Sequence, residues 1–186
     1  IVSALLSACA GLQAKRGVDG NTLYSSSRPR LNVELGPGYK FMKRQMSNSS
    51  QLFKNSDGSS NIEREIYRFW NDDQKREVQV QFHRILSQNA YWNQFDFKDA
   101  KNLIDTGHET MNRDTYQYGV YMVANPDGCF LVKAIGRRIG GRSDTKMLLY
   151  FAERVCGENV LSKWLNKEML DAIEKTRLHR FLEAFQ

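Results

Sequence analysis

Histidine, cysteine and long apolar runs are scarce in this chain, and each scarcity removes a class of function. The 3 histidines among 186 residues, His83, His108 and His179, show no His-x-x-x-His or other close ligand spacing, so no metal site is expected. No Ser or Cys nucleophile sits in a recognisable setting beside them, and no stretch forms a diagnostic catalytic motif. The catalytic residues, if there are any, are therefore left unassigned by the sequence, and no cofactor is expected. No run approaches the ~20 apolar residues of a membrane-crossing helix, so the body is expected to be water-soluble. Two binding motifs are missing as well. The glycines around Arg137–Arg142 do not lead into Gly-Lys-Ser/Thr, which excludes a P-loop. The Asn55-Ser56-Asp57-Gly58 stretch lacks the sixth-place Gly and twelfth-place Glu of a calcium loop.

What remains is an ordinary globular composition, with 41% apolar and 26% charged residues, enough for one domain with a core. The formal charge is +6 and the isoelectric point about 9.3. A basic surface attracts nucleic acid, phospholipid headgroups, lipopolysaccharide phosphates or acidic glycans, although a charge this mild on a domain of this size also simply aids solubility.

The N-terminus narrows that choice. Ile1-Val2-Ser3-Ala4-Leu5-Leu6-Ser7-Ala8-Cys9 is apolar and uncharged and closes on small residues, the form of the end of a secretory signal. Leu6-Ser7-Ala8-Cys9 resembles the lipobox of bacterial lipoproteins, in which the thiol takes a diacylglyceryl group and becomes the mature N-terminus. The likeness departs from the full pattern in lacking an initiator Met and a basic leader, so the chain is read as beginning inside the apolar region. The resemblance implies that residues 1–8 are a signal-peptide remnant and that Cys9 carries lipid. Each buried lipid methylene contributes ~0.8 kcal/mol, and two or three chains anchor firmly. It implies an address in the bacterial cell envelope, and Ala10 after the cysteine points to the outer membrane facing the periplasm. Nucleic acid is not an expected partner there. The membrane is, through Cys9, together with anionic lipid, glycan or an envelope protein.

Residues 9–30 lack a clean period and read as a lipidated N-terminus with a flexible tether, of reach roughly 25 Å. Residues 31–186 read as a single globular domain. Within it Leu31–Leu35 alternates as a short strand, and Tyr39–Met46 is a second. Ser47–Asn61 reads as a long hairpin loop. Ile62–Trp70 reads as a strand, turning at Asn71–Gln74 into Glu77–Ile85. That last stretch is the clearest period-two segment: Val78, Val80 and Phe82 face one way, and Glu77, Gln79, Gln81 and His83 the other. Tyr91, Trp92, Phe95 and Phe97 are aromatic; they could form a sugar platform but read as core. Asp96 is expected to cap a short helix through about Ile104.

From Tyr116 the pattern is a meander: a strand Tyr116–Val123, a turn Asn125-Pro126-Asp127-Gly128, a strand Phe130–Ile135 and a strand Lys146–Val155. A hairpin centred near Arg142–Ser143 would place Cys129 opposite Cys156 and Ala134 opposite Phe151, making a cross-strand disulfide geometrically reachable. The loop between carries Arg137, Arg138 and Arg142 beside three glycines. Arginines grip phosphate or carboxylate bidentately and glycines let backbone N–H groups approach, so this loop is the candidate anion-binding element. Asn159 is expected to cap a long C-terminal helix with a break near Thr176 and an apolar stripe including Leu161, Trp164, Leu165, Met169, Ile173 and Phe181.

The expected fold class is α+β: a mainly antiparallel, curved sheet of about six or seven strands, covered by the C-terminal helix and a short mid-chain helix. The layout resembles the short lipoproteins of many uncharacterised bacterial families, a likeness that carries over no functional residue beyond Cys9. The expected function is a membrane-anchored, non-enzymatic binding or structural module. The alternative is a periplasmic hydrolase or glycan-binding protein whose site assembles only in the fold.

Overall fold

The computed structural model describes residues 16–26, 30–53, 59–87, 90–93, 96–126, 128–155, 157 and 159–183. Cys9, Phe95 and Cys156 lie outside the described residues. The strands are β1 (Arg16–Asp19), β2 (Thr22–Ser25), β3 (Leu31–Glu34), β4 (Tyr39–Leu52), β5 (Ser59–Asn71), β6 (Arg76–Ile85), β7 (Leu103–Met111), β8 (Asp114–Asn125), β9 (Gly128–Ile139) and β10 (Thr145–Val155). Two helices follow, α1 (Val160–Leu165) and α2 (Ala172–Leu182), separated by a 3-10 turn at Lys167–Met169. The first three strands form a small sheet, and the other seven a second one in the order β4-β5-β6-β10-β9-β8-β7. Every pairing is antiparallel. Among the described residues the chain is thus mostly antiparallel β with two helices.

Alternation along β6 and its registers sort the large sheet into two faces. One face carries Tyr67, Phe69, Val78, Val80, Phe82, Ile135, Met147 and Leu149, closed at one end by Leu23 and Leu35 from the small-sheet segment. Farther along the same face, Val120, Met122, Leu131 and Val155 meet Trp164, Leu170, Leu178 and Phe181 from the helical segment. The opposite face has a smaller cluster of Phe53, Ile62, Ile85, Ala90 and Trp92.

Several expectations are corrected. Residues 16–25 are not a tether, because Asp19-Gly20-Asn21-Thr22 closes a tight hairpin with Gly20 at φ 58°, and β2 then pairs with β3. Asp96 starts no helix. Its Oδ1 accepts from the Lys98 amide at 2.9 Å, and the chain goes on through a turn into β7, the far edge strand. Phe97 is held against Gly119, where an added Cβ would lie 2.6 Å from the Phe97 Cβ. The β9–β10 register is one residue off the expected one: Cys129 faces Val155, and Ala134 faces Tyr150. The expected partner of Cys129, Cys156, lies outside the described residues, and Cys129 carries a free thiol.

The C-terminal helix is broken between Asn166 and Asp171, ahead of Thr176, whose hydroxyl donates to the Ala172 carbonyl at 2.8 Å. Asn159 sits at φ 51° and makes no side-chain cap. The cap of α2 is Asp171, whose Oδ1 accepts from the Glu174 amide at 2.8 Å while the Glu174 carboxylate accepts from the Asp171 amide at 2.9 Å. The break rotates the apolar stripe, so that Trp164 and Phe181 are buried but Met169 and Ile173 are exposed. Asp171→Ala removes one arm of this reciprocal cap and is expected to lower the urea midpoint with an unchanged m-value.

Candidate ligand cleft and the basic row beside it

Strand alternation separates the three arginines expected to act together. Arg137 and Arg138 lie near the end of β9 and so point to opposite faces, and Arg142 lies exposed in the turn beyond. Arg137 forms an ion pair with Asp114 and lies 5.3 Å over the Tyr116 ring. Arg138 donates through Nη1 to the Trp92 carbonyl at 3.1 Å. Both still border one open cleft of about 410 Å³, with His108, Asp114, Thr115, Gln117, Gly136 and Ser143. Arg142 does not line it.

The cleft offers donors and acceptors together. Arg138 supplies a charged donor fork, and Thr115 and Ser143 bring hydroxyls. Gln117 Nε2 lies 3.3 Å from His108 Nε2, and the Gln117 Oε1 is buried without a hydrogen-bond partner. An unsatisfied buried carbonyl costs about 1–3 kcal/mol, which a ligand hydroxyl or amide would recover. Tight β-turns build this end of the sheet. The β7–β8 hairpin turns on Asn112 and Arg113, at φ 49° and 69°, and Gly140 (φ 88°) and Ser143 (φ 53°) shape the turn after β9.

From Arg138 a row of basic residues crosses the same face. Arg138 pairs with Lys146, Lys146 with His83, and His83 with Arg64. Directly paired residues on adjacent strands have Cβ atoms about 4.5–5.5 Å apart, so Arg64 and Lys146 disfavour a proton on His83 between them. Burial and, second to it, this crowding have two consequences. Burial, then the charges of Lys146 and Arg64, lowers the His83 pKa to about 3. Burial, then Arg64, lowers that of Lys146 to about 8. Trp92 roofs the row, with the Lys146 Nζ 3.8 Å from its ring centroid and its own indole donating to the His83 carbonyl at 3.2 Å. His83 therefore lies on the polar face, as its alternation implies, but it is buried.

Along β6 the same face carries a hydrogen-bonded ladder. Gln79 Nε2 donates to Glu77 at 2.8 Å, Gln81 Nε2 to Gln79 Oε1 at 2.7 Å, and His83 Nε2 lies 3.0 Å from Gln81 Oε1. A carboxylate only accepts, so Glu77 fixes the direction of every step, and His83 must carry its proton on Nε2. We expect nitrogen NMR to show a neutral Nε2–H imidazole at pH 5, with no protonation until about pH 3. An imidazole titrating near 6.5 would contradict the burial.

Among the described residues no group of three or more metal-ligating side chains converges, and no helix is long and apolar enough to cross a membrane. Sequence reasoning located Arg137 and Arg138 and missed Arg64, Lys146, Gln117 and Trp92 as neighbours. Only strand order brings these together, although the alternation of β6 did place His83 on this face. No protein-family model, curated protein or solved structure matches this chain.

Proposed function

We propose that this chain is a non-enzymatic binding module of the bacterial envelope, anchored through lipid on Cys9, that takes an anionic, hydroxyl-bearing group of lipid or glycan. The observation that carries the binding reading is the cleft at Arg138, where a basic row meets the unpaired Gln117 carbonyl. The row favours negative charge, and the carbonyl favours a ligand that also donates. The mixed lining also includes His108 and Asp114, the pairing a hydrolase would need. However, Asp114 is ion-paired to Arg137, and His108 lies within hydrogen-bond reach of a glutamine. That arrangement suits binding better than proton transfer.

Titration with glucose 6-phosphate and with glucuronate, against neutral glucose, tests the cleft. Both anionic sugars should shift the amide resonances of Gln117 and Arg138, and glucose should not. Arg138→Ala removes one charge-assisted contact and should weaken binding by about tenfold. Silence toward both anions would overturn the reading. The anchor is tested separately by radioactive fatty-acid labelling of native and Cys9→Ala protein, and equal label in the two would sink it.

A further inference from the structure

The seven-stranded sheet ends in two different edges. Its β7 edge is short, mostly half-buried and contacts α1. Its β4 edge runs 14 residues and is exposed throughout except at Tyr39 and Ser49. Half of the backbone N–H and C=O groups of an edge strand point outward, so a long naked edge is a template for another strand. Natural edges are guarded by charge and by bulges, and β4 has both guards in its first half only. Lys40, Lys43 and Arg44 lie there, as does the register shift between Phe41 and Lys43. From Gln45 to Leu52 the strand has no charged residue and no shift of register.

We propose that Met46–Leu52 pairs antiparallel with the same segment of a second copy of this chain, about a two-fold axis at Ser49. The segment is complementary to itself in that register. Met46 falls opposite Leu52 at both ends, Ser47 opposite Gln51, and Asn48 opposite Ser50. Met46 and Leu52 share one face by alternation and are 55% and 74% exposed, so the pairing gives each a cross-strand apolar partner. A parallel pairing in register would instead align Lys40, Lys43 and Arg44 with their own copies, which repel. The isologous antiparallel arrangement leaves those basic residues outside the paired segment and closes on itself, so it stops at a dimer.

Sedimentation equilibrium of the 186-residue chain tests this with two variants. Native protein should be a dimer. Met46→Lys/Leu52→Lys places like charges across both ends and should raise the dissociation constant at least tenfold. Met46→Lys/Leu52→Glu places opposite charges at the same points and should restore the dimer. Both sites are exposed, and circular dichroism checks that each variant keeps the native fold. A native protein that stays monomeric at its highest soluble concentration overturns the proposal. So does a dimer indifferent to the lysine pair, or one the glutamate variant fails to restore.

Discussion

Replacing Lys133 by methionine is expected to destabilise the fold by about 3–5 kcal/mol, because it strands a buried carboxylate. Lys133 lies in the middle of β9 and its side chain is wholly buried. Its ammonium lies 2.9 Å from Glu109 Oε2 on β7, donates to the Leu182 carbonyl at the end of α2 at 2.5 Å, and lies 5.6 Å from the Tyr118 ring centroid. The other Glu109 oxygen is buried and unpaired, so that carboxylate depends on Lys133. One cation thus ties the far edge strand, the sheet and the last turn of α2, where a positive charge also meets the negative end of the helix. Two measurements separate these contributions. Urea unfolding of Lys133→Met should show the full loss at pH 7. Lys133→Met/Glu109→Leu should recover most of the loss, since an apolar pair of similar volume has no charge to desolvate. Additive losses in the double variant would show that the pair is not coupled.

Lys133 also marks where sequence reading ended. The pattern from Phe130 to Ile135 identifies a strand, and a lysine in such a strand is ordinarily set at the solvent face. Nothing local shows that α2 will fold back over it or that Glu109 will arrive on a strand two places away in the sheet. The same holds for β7 itself. Leu103–Met111 mixes Asp105, Gly107, His108 and Glu109 among few apolar residues, so its period is faint and the Asp96 cap signal prevailed. The N-terminal hairpin was legible in principle, since Asp19-Gly20-Asn21 is a strong tight-turn signal, but Arg16–Ser25 is too short for alternation to register. Strands with a clear period of two, above all β6 and the β8–β10 meander, were placed within a few residues. At the cleft, adjacency along the chain suggested Arg137, Arg138 and Arg142. The observed row of Arg64, His83, Lys146 and Arg138 is instead an adjacency across strands, which requires the order β5-β6-β10-β9. A register error of one residue, as with Cys129 and Val155, is enough to break such an inference.

Glu65→Gln should destabilise the protein by about 3 kcal/mol and release the small sheet from the large one. The Glu65 carboxylate is buried on β5 and gathers three donors. Arg16 of β1 donates at 2.7 Å, Arg44 of β4 at 2.8 Å, and the Tyr67 hydroxyl at 2.6 Å. Arg44 is half exposed and contributes little, but Arg16 is largely buried, lies 4.1 Å from the Phe82 ring centroid and connects β1 to the large sheet. Burial alone would raise the Glu65 pKa; the hydrogen bonds from Tyr67 and Arg16, the Arg16 charge and the Arg44 hydrogen bond outweigh it and hold it below the ordinary value. A lowered folded pKa adds stability above the unfolded carboxylate value, near ~4.3, and that stability is lost as pH falls through the folded pKa. The native protein and Glu65→Gln should therefore differ most above pH ~5 and converge in stronger acid. Hydrogen exchange locates the effect: amides of β1 and β2 should lose protection in the variant well before those of β9 and β10. Uniform loss across both sheets would mean that the two unfold as one unit and that Glu65 is not the tie between them.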